Sequence, residues 1–367
     1  MGHKYIWQQP EWPALKWQSD KLLELLGRAR KAQGKIIAQA DFIGLEEQAK
    51  ILVEEAFTTS AIEGEKLDRN SIRSSVARRL GLPTAGLPPS QRNIDGLVNM
   101  LTDAVSGNEK PLNEKRLFGW HTALFPTGYS DLEEIAVGKW RKGKEPMQVV
   151  SGPMGKRKVH YEAPPSTQMN SQIKGLLKWW NNPPPLDGII RAGLAHFWFV
   201  TIHPFEDGNG RIARALTDMA LAQDEKTGRR LYSLSSQISK ERDDYYDVLE
   251  KSQKDTCDVT RWLEWFLEMF IRAIDNSQDI VSKAMMIARF WQTHTQADLN
   301  ERQLKVVNRL LEAGRDGFEG GMTNRKYVSL NKVSREIAKR DLADLEKRGI
   351  LQRNDGGGRS ISYSLKW

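Results

Sequence analysis

Cysteine is nearly absent: Cys257 is the single one in 367 residues. It therefore forms no disulfide within the chain, a thiolate zinc cluster is excluded, and a reducing cytoplasm is the compartment that fits. Long apolar runs are missing as well. The longest nearly uncharged stretch, 192-AGLAHFWFVTIHPF-205, falls short of the roughly 20 residues that carry a helix across a bilayer. The opening MGHKYIWQQPEWPALKW holds no apolar core of signal-peptide length. Neither export nor membrane insertion is expected. No H-E-x-x-H metal spacing and no internal repeat occurs, 152-GPMGKRK-158 lacks the spacing of a phosphate loop, and 356-GGGR-359 is a turn with no helix after it.

What is present describes a folded chain of two or three modules. Lys and Arg number 55 against 47 Asp and Glu, a net +8 that suits nucleic acid, anionic ligands or a solvated surface equally. Helical spacing runs from Lys16 to Leu82, and in 68-DRNSIRSSVARRLGL-82 the residues Ile72, Val76 and Leu80 stand four apart behind capping side chains. A Pro/Gly loop, 83-PTAGLPPSQR-92, follows. Residues 113–126 and 188–202 read as helices, the second apolar nearly all round and so buried. Between them, MQVV and KVHY flank a Gly/Pro turn, which predicts a β-hairpin over 147–161 and then a helix ending in Trp179 and Trp180. Helices are expected again at 215–223, 239–253 and 259–274. The tail, with a helix at 301–314, a second, polar helical segment, a helix at 334–349 and a glycine-tipped ribbon at 350–367, has the element order of a winged helix-turn-helix.

The chemistry is concentrated in 203-HPFEDGNGRIAR-214. Gly208 and Gly210 around Asn209 let the backbone approach a ligand with its N–H groups inward, and a helix starting there adds its positive end. That is an anion cradle. Arg211 and Arg214 stand three apart and leave one helix face, so both forks reach phosphate oxygens, and Asp207 supplies the single carboxylate that Mg²⁺ asks for beside a polyphosphate. His203, before Pro204, is expected in an extended or loop conformation at the helix end, where it is placed to accept a proton. His196 reads as a core histidine.

The ordered pattern His-Pro-Phe-x-Asp-Gly-Asn-Gly-Arg-x-x-Arg resembles the signature of the Fic family of protein adenylyltransferases, with each fixed position filled. The resemblance implies AMP transfer from ATP to Ser, Thr or Tyr hydroxyls of protein targets and of the chain itself. It makes His203 the base, Asp207 the Mg²⁺ ligand, Gly208, Asn209, Gly210 and Arg211 the α/β-phosphate cradle, Arg214 the γ-phosphate clamp and Phe205 a buried anchor. The hairpin is similar to the family's flap, so Val149, Val150, Ser151 and Gly152 are expected to align the target by main-chain pairing. In 59-TSAIEGE-65, Thr59, Glu63 and Gly64 match the family's inhibitory pattern, which sets Glu63 against Arg214; in relatives the same glutamate also supports AMP removal, and both roles stay open. The stretch 245-YYDVLEKSQ-253 is similar to the adenine-pocket segment, with Tyr245 on the nucleoside and Gln253 where many relatives have Asn.

The expected fold class is mostly α: a helical N-terminal region carrying the inhibitory motif at 1–112, a helical Fic core with its β-hairpin flap and following helices at 113–290, and a winged helix-turn-helix at 296–367. Arg335, Lys339 and Arg340, with Arg359 on the wing, are placed to meet DNA phosphates; protein contact or a homodimer is the other use of such a module. The rival reading is a winged-helix DNA-binding regulator whose core only senses nucleotide. A third keeps the fold and changes the donor to one that yields UMP, phosphocholine or a phosphoryl group.

Overall fold

The computed structural model describes residues 4–130, 132–143, 146–151, 158–254, 256–294, 298–314, 318–354 and 361–367, without the side chains of residues 151 and 158. The protein is mostly α-helical, and its contacts divide it into residues 1–279 and 280–367. Each unit has a core of its own.

The first unit starts with a 3₁₀ turn at Ile6–Gln8, followed by α1 (Ser19–Ile37), α2 (Leu45–Ile62), α3 (Arg69–Leu80) and α4 (Arg92–Ser106). α3 is the helix predicted at 68–82. Asp68 caps it by accepting from the Ser71 amide at 2.7 Å, and Gly81 ends it with a φ of 73°, a conformation that favours glycine. α4 adds to the predicted set. Its signal is nonetheless in the sequence, since Ile94, Leu97, Val98, Leu101 and Val105 recur at helical spacing and are all buried.

Next come α5 (Glu114–Leu124), a minimal antiparallel pair of β1 (Tyr129–Ser130) with β2 (Glu133–Glu134), and the hairpin of β3 (Gln148–Ser151) with β4 (Lys158–Glu162). The second hairpin pairs Val149 with Tyr161 and Val150 with Val159, with a register irregularity between the two valines. α6 (Met169–Asn181), α7 (Gly188–Ile202) and α8 (Asn209–Glu225) follow, and α7 lies against α8 at the centre of the unit. Asp187 caps α7 through the amides of Ile189 and Ile190. Burial on every face of α7 explains its all-round apolar sequence: Leu194, Phe197, Phe199 and Ile202 are each 3% exposed or less.

Two predicted helices are corrected here. The segment 239–253 is split at Glu241 into α9 (Leu234–Lys240) and α10 (Arg242–Gln253), because Glu241 leaves helical geometry to cap both ends and is held there by Arg272. The helix at 259–274 becomes α11 (Thr260–Thr293), which continues into the second unit: Val281, Ala284 and Phe290 are buried beyond residue 274, Phe290 in the second unit's own core. Among the described residues no helix is long and apolar enough to cross a membrane.

In the second unit, α12 (Glu301–Ala313), β5 (Met322–Thr323), α13 (Asn324–Asn331), α14 (Arg335–Lys347), β6 (Leu351–Arg353) and β7 (Ser362–Leu365) follow in order. The strands form an antiparallel sheet in the order β5-β7-β6. Val306, Leu310, Tyr327, Leu342 and Leu345 are core residues, and buried Asp341 accepts from Arg302 Nε and the Tyr327 hydroxyl at 2.9 Å each. Arg335, Lys339 and Arg340 are exposed on α14. Arg359 and the glycines at 356–358 lie outside the described residues.

Candidate active site

The loop between α7 and α8 is held from several sides. His203 caps the end of α7 in the left-handed region (φ 51°, ψ 60°): of the extended or loop conformation expected at the helix end, the residue takes the loop form, because capping the helix outweighs the extended preference of a residue before proline. The Asn209 side chain closes the loop on itself, accepting from the Phe205 amide at 2.9 Å and donating to the Phe205 carbonyl at 2.8 Å. Phe205 is fully buried and stacks on His121 at 4.1 Å between ring centres. With Asn209 occupied in this way, the backbone is what remains for a ligand. The first-turn amides of Asn209, Gly210 and Arg211 have no acceptor within the helix, and Gly208 enters it with a φ of 78°.

Both arginines of α8 reach the end of α2. Arg214, 1% exposed, donates from Nε to Thr59 Oγ1 at 2.7 Å and from Nη2 to the Thr59 carbonyl and Glu63 Oε1 at 2.8 Å each. Its Nη1 has no hydrogen-bond partner among the described residues. Gly64 turns the chain just after Glu63 with a φ of 87°, and Gly210 makes room opposite: a Cβ there would lie 2.1 Å from Glu63 Oε1. Arg211 Nη1 bonds Glu65 at 2.9 Å, and its Nη2 reaches Asp207 at 3.4 Å. Asp207 also accepts from the Ser130 hydroxyl and the Gly208 amide.

The His203 ring keeps an opening onto a cavity, but protein packed on its other sides, and secondarily the Arg141 charge, push its pKa down to about 4. It is therefore neutral at pH 7. Nδ1 faces the Val200 carbonyl at 3.4 Å, which assigns the proton to Nδ1 and leaves Nε2 as the acceptor. Arg141 is 4% exposed and ties this loop to the segment that follows β4. It donates to the carbonyls of His203 (2.7 Å), Ile202 (3.4 Å) and Pro164, while its own amide donates to Pro204 at 3.0 Å. His121 does similar work. Gly138 donates to its Nδ1 at 3.0 Å, so Nε2 carries the proton and donates to the Asp207 carbonyl, and burial holds the ring neutral with a pKa near 4.

Two cavities meet at this motif. One, of about 450 Å³, is lined by Val149, Val150, His203, Tyr245, Gln253 and Glu63; the other, of about 570 Å³, by Asp207, Arg211, Ser130, Gly64, Glu65 and Glu63. Glu63 walls both. Tyr245 is 2% exposed and donates its hydroxyl to His196 Nε2, and His196 Nδ1 in turn donates to Thr217, so His196 is a core histidine that fixes the tyrosine. Gln253 donates to Thr201 Oγ1 at 3.2 Å. Ser151 lies on β3 opposite residue 158, and Gly152 is outside the described residues.

Residues 111–221 match the model of the Fic/DOC family. The chain carries a Fic/DOC family domain. Ahead of the Fic domain, residues 5–82 match a domain family of unknown function (DUF4172). Similar curated proteins include a Caenorhabditis elegans protein named protein adenylyltransferase fic-1, 44% identical over 52 residues, which are 14% of this chain and 10% of that protein. Another is a probable protein adenylyltransferase, aq_aa38, of Aquifex aeolicus (strain VF5), 32% identical over 63 residues, 17% of this chain and 20% of that one. The matched stretches thus span a fifth or less of these relatives. A Fic family protein from Desulfovibrio desulfuricans G20 shares the fold across 94% of this chain and 95% of its own, with a TM-score of 0.56 and 17% identity. A Fic domain containing signaling protein from Bacteroides thetaiotaomicron VPI-5482 gives a TM-score of 0.50 and 18% identity over 71% of this chain and 97% of its own.

Sequence reasoning missed Arg141, His121, Ser130 and Glu65. For the first three no short-range signal existed, because they act through backbone carbonyls or a single bond across more than 60 residues of sequence. Glu65 was visible as a second acid two residues past Glu63, and the two arginines of α8 implied a use for it.

Proposed function

We propose that this protein is an adenylyltransferase that moves AMP from ATP to a Ser, Thr or Tyr hydroxyl of a protein and releases pyrophosphate. The observation that carries the reading is convergence: a neutral His203 and Gly210 at the start of α8 border one cavity, Asp207 and Arg211 border the other, and Glu63, which walls both, is bonded to Arg214 just behind them. His203 Nε2 takes the proton of the target hydroxyl as its oxygen attacks the α-phosphorus. The bond to the bridging oxygen breaks, and the charge that develops is met by amides and guanidinium groups already in place. Val149 and Val150 place the flap over the same cavity as His203, which supports docking of an extended target segment along β3.

Asp207 would hold Mg²⁺. Among the described residues no three His, Cys, Asp or Glu side chains form a metal cage, and one part-exposed carboxylate at a roomy polar cavity suits an ion that takes most of its ligands from phosphate and water. When bound, the ion would neutralise phosphate charge beside the cradle.

The donor is tested with ATP labelled at the α- or the γ-phosphate. α-Label enters protein and γ-label leaves as pyrophosphate if the reading is right; γ-label on protein means phosphorylation and sinks it. Glu65 gives a further prediction. Its pair with Arg211 is 36% exposed on the acid side, so Glu65→Ala added to Glu63→Gly raises ATP affinity by only about two- to fivefold, read by calorimetric titration. For the second unit, the exposed Arg335, Lys339 and Arg340 favour a DNA contact as a separate activity. Duplex binding by the full chain is then expected to weaken steeply with salt and to be lost on charge reversal at Arg335 and Lys339.

A further inference from the structure

The β3–β4 hairpin is only two strands, and such a hairpin is marginal in water without something to pack on. In this protein the packing partner is the segment 4–16, at the start of the DUF4172 region. Tyr5, 2% exposed, meets Tyr161 edge to face at 5.3 Å, and the same small core takes in Trp7 with Met147 and Val149, so both flap strands rest on it. Trp7 Nε1 donates to the Glu162 carbonyl at 2.7 Å. Tyr161 passes the fixation inward, its hydroxyl donating to the Thr201 carbonyl two residues before His203.

The segment is anchored along its length. The Gln8 side chain accepts from the amides of Lys4 and Tyr5, Trp12 Nε1 donates to Gln172 on α6 and its ring meets Trp198 on α7, and Lys16 exchanges backbone bonds with Cys257 and Val259. We infer that this segment is a strap that sets the flap's position over His203, with Tyr5 and Trp7 as positioning residues for the protein substrate. Residues 5–82 then govern the site from two ends. The strap fixes where the target backbone lies, and the end of α2 brings Glu63 to Arg214. The inference rests on the reading of β3 as the target's docking edge.

The test compares Glu63→Gly with Glu63→Gly carrying Trp7→Ala, Trp7→Phe or Tyr5→Ala, using full-length protein, a protein target and ATP. Hydrogen exchange is followed at the amides of 148–150 and 159–162. Loosening the flap by about an ångström is expected to lower kcat/KM for the target tenfold or more. KM for ATP stays unchanged and flap amides exchange faster. Trp7→Phe keeps the ring packing and loses the bond to Glu162, so it shows an intermediate effect even if a larger truncation fails to fold. Unchanged exchange with an unchanged target KM overturns the strap, and so does an equal change in the KM of ATP and target. If the Glu63→Gly parent itself transfers no AMP, the adenylyltransferase reading falls and the exchange rates alone decide whether the strap holds the flap.

Discussion

Glu63→Gly raises AMP incorporation into protein by about 10- to 100-fold over wild type, the range set by a typical coupling free energy between two ligands of one site. Glu63 Oε1 sits 2.8 Å from Arg214 Nη2, and Arg214 is buried to 1%. A guanidinium taken out of water needs an anion, and the chain supplies one in Glu63, on the group that the proposed function assigns to the γ-phosphate. Burial works against the charge of Arg214, and Glu63, with Tyr245 and Tyr246 beside it, offsets that cost, so the pKa of the group is raised above its ordinary value and it stays protonated. Removing the glutamate frees the clamp and leaves a buried charge unpaired, which costs a few kcal/mol. The variant is therefore expected to melt at a lower temperature than wild type and to regain the loss when ATP is added. Activity that rises without that ATP-dependent recovery would point away from Arg214 as the place where Glu63 acts.

His203→Ala, placed on Glu63→Gly, lowers transfer by about 10²- to 10⁴-fold, the usual contribution of a positioned general base. ATP affinity changes little, because His203 borders the cavity without belonging to the cradle. The pH dependence follows from the same burial. A base must be neutral to act, and a pKa of about 4 keeps His203 neutral far below the ordinary histidine midpoint, so kcat/KM of Glu63→Gly holds steady down to about pH 5 and falls only below it. Arg141 lowers that pKa by its charge. Arg141→Met moves the acid limb toward higher pH, whereas a purely structural loss would reduce activity evenly across the profile.

The helices of this chain were legible where one face is buried. α3, α7 and α12 follow from apolar spacing and capping residues, and the β3–β4 hairpin from β-prone runs around a turn. The break at Glu241 was not legible, since it depends on Arg272, which lies 31 residues away. For the site, the dense motif at 203–214 placed its own residues, because a loop followed by a helix start is local geometry. Its supports were hidden for the opposite reason: Arg141 and His121 hold carbonyls, which every residue has, so no sequence pattern announces them. The left-handed turn at His203 was hidden too, because the residue before a proline ordinarily avoids it.

The claim on which the rest depends is that Glu63 and the γ-phosphate compete for Arg214. Calorimetric titration of ATP and of ADP, each with Mg²⁺, into wild type and Glu63→Gly tests it most directly. In wild type the clamp is taken, so the two nucleotides bind with nearly equal affinity; in Glu63→Gly, ATP binds about tenfold or more tighter than ADP, the worth of one charge-assisted contact to phosphate. An ATP-to-ADP ratio that is the same in both proteins would contradict the account.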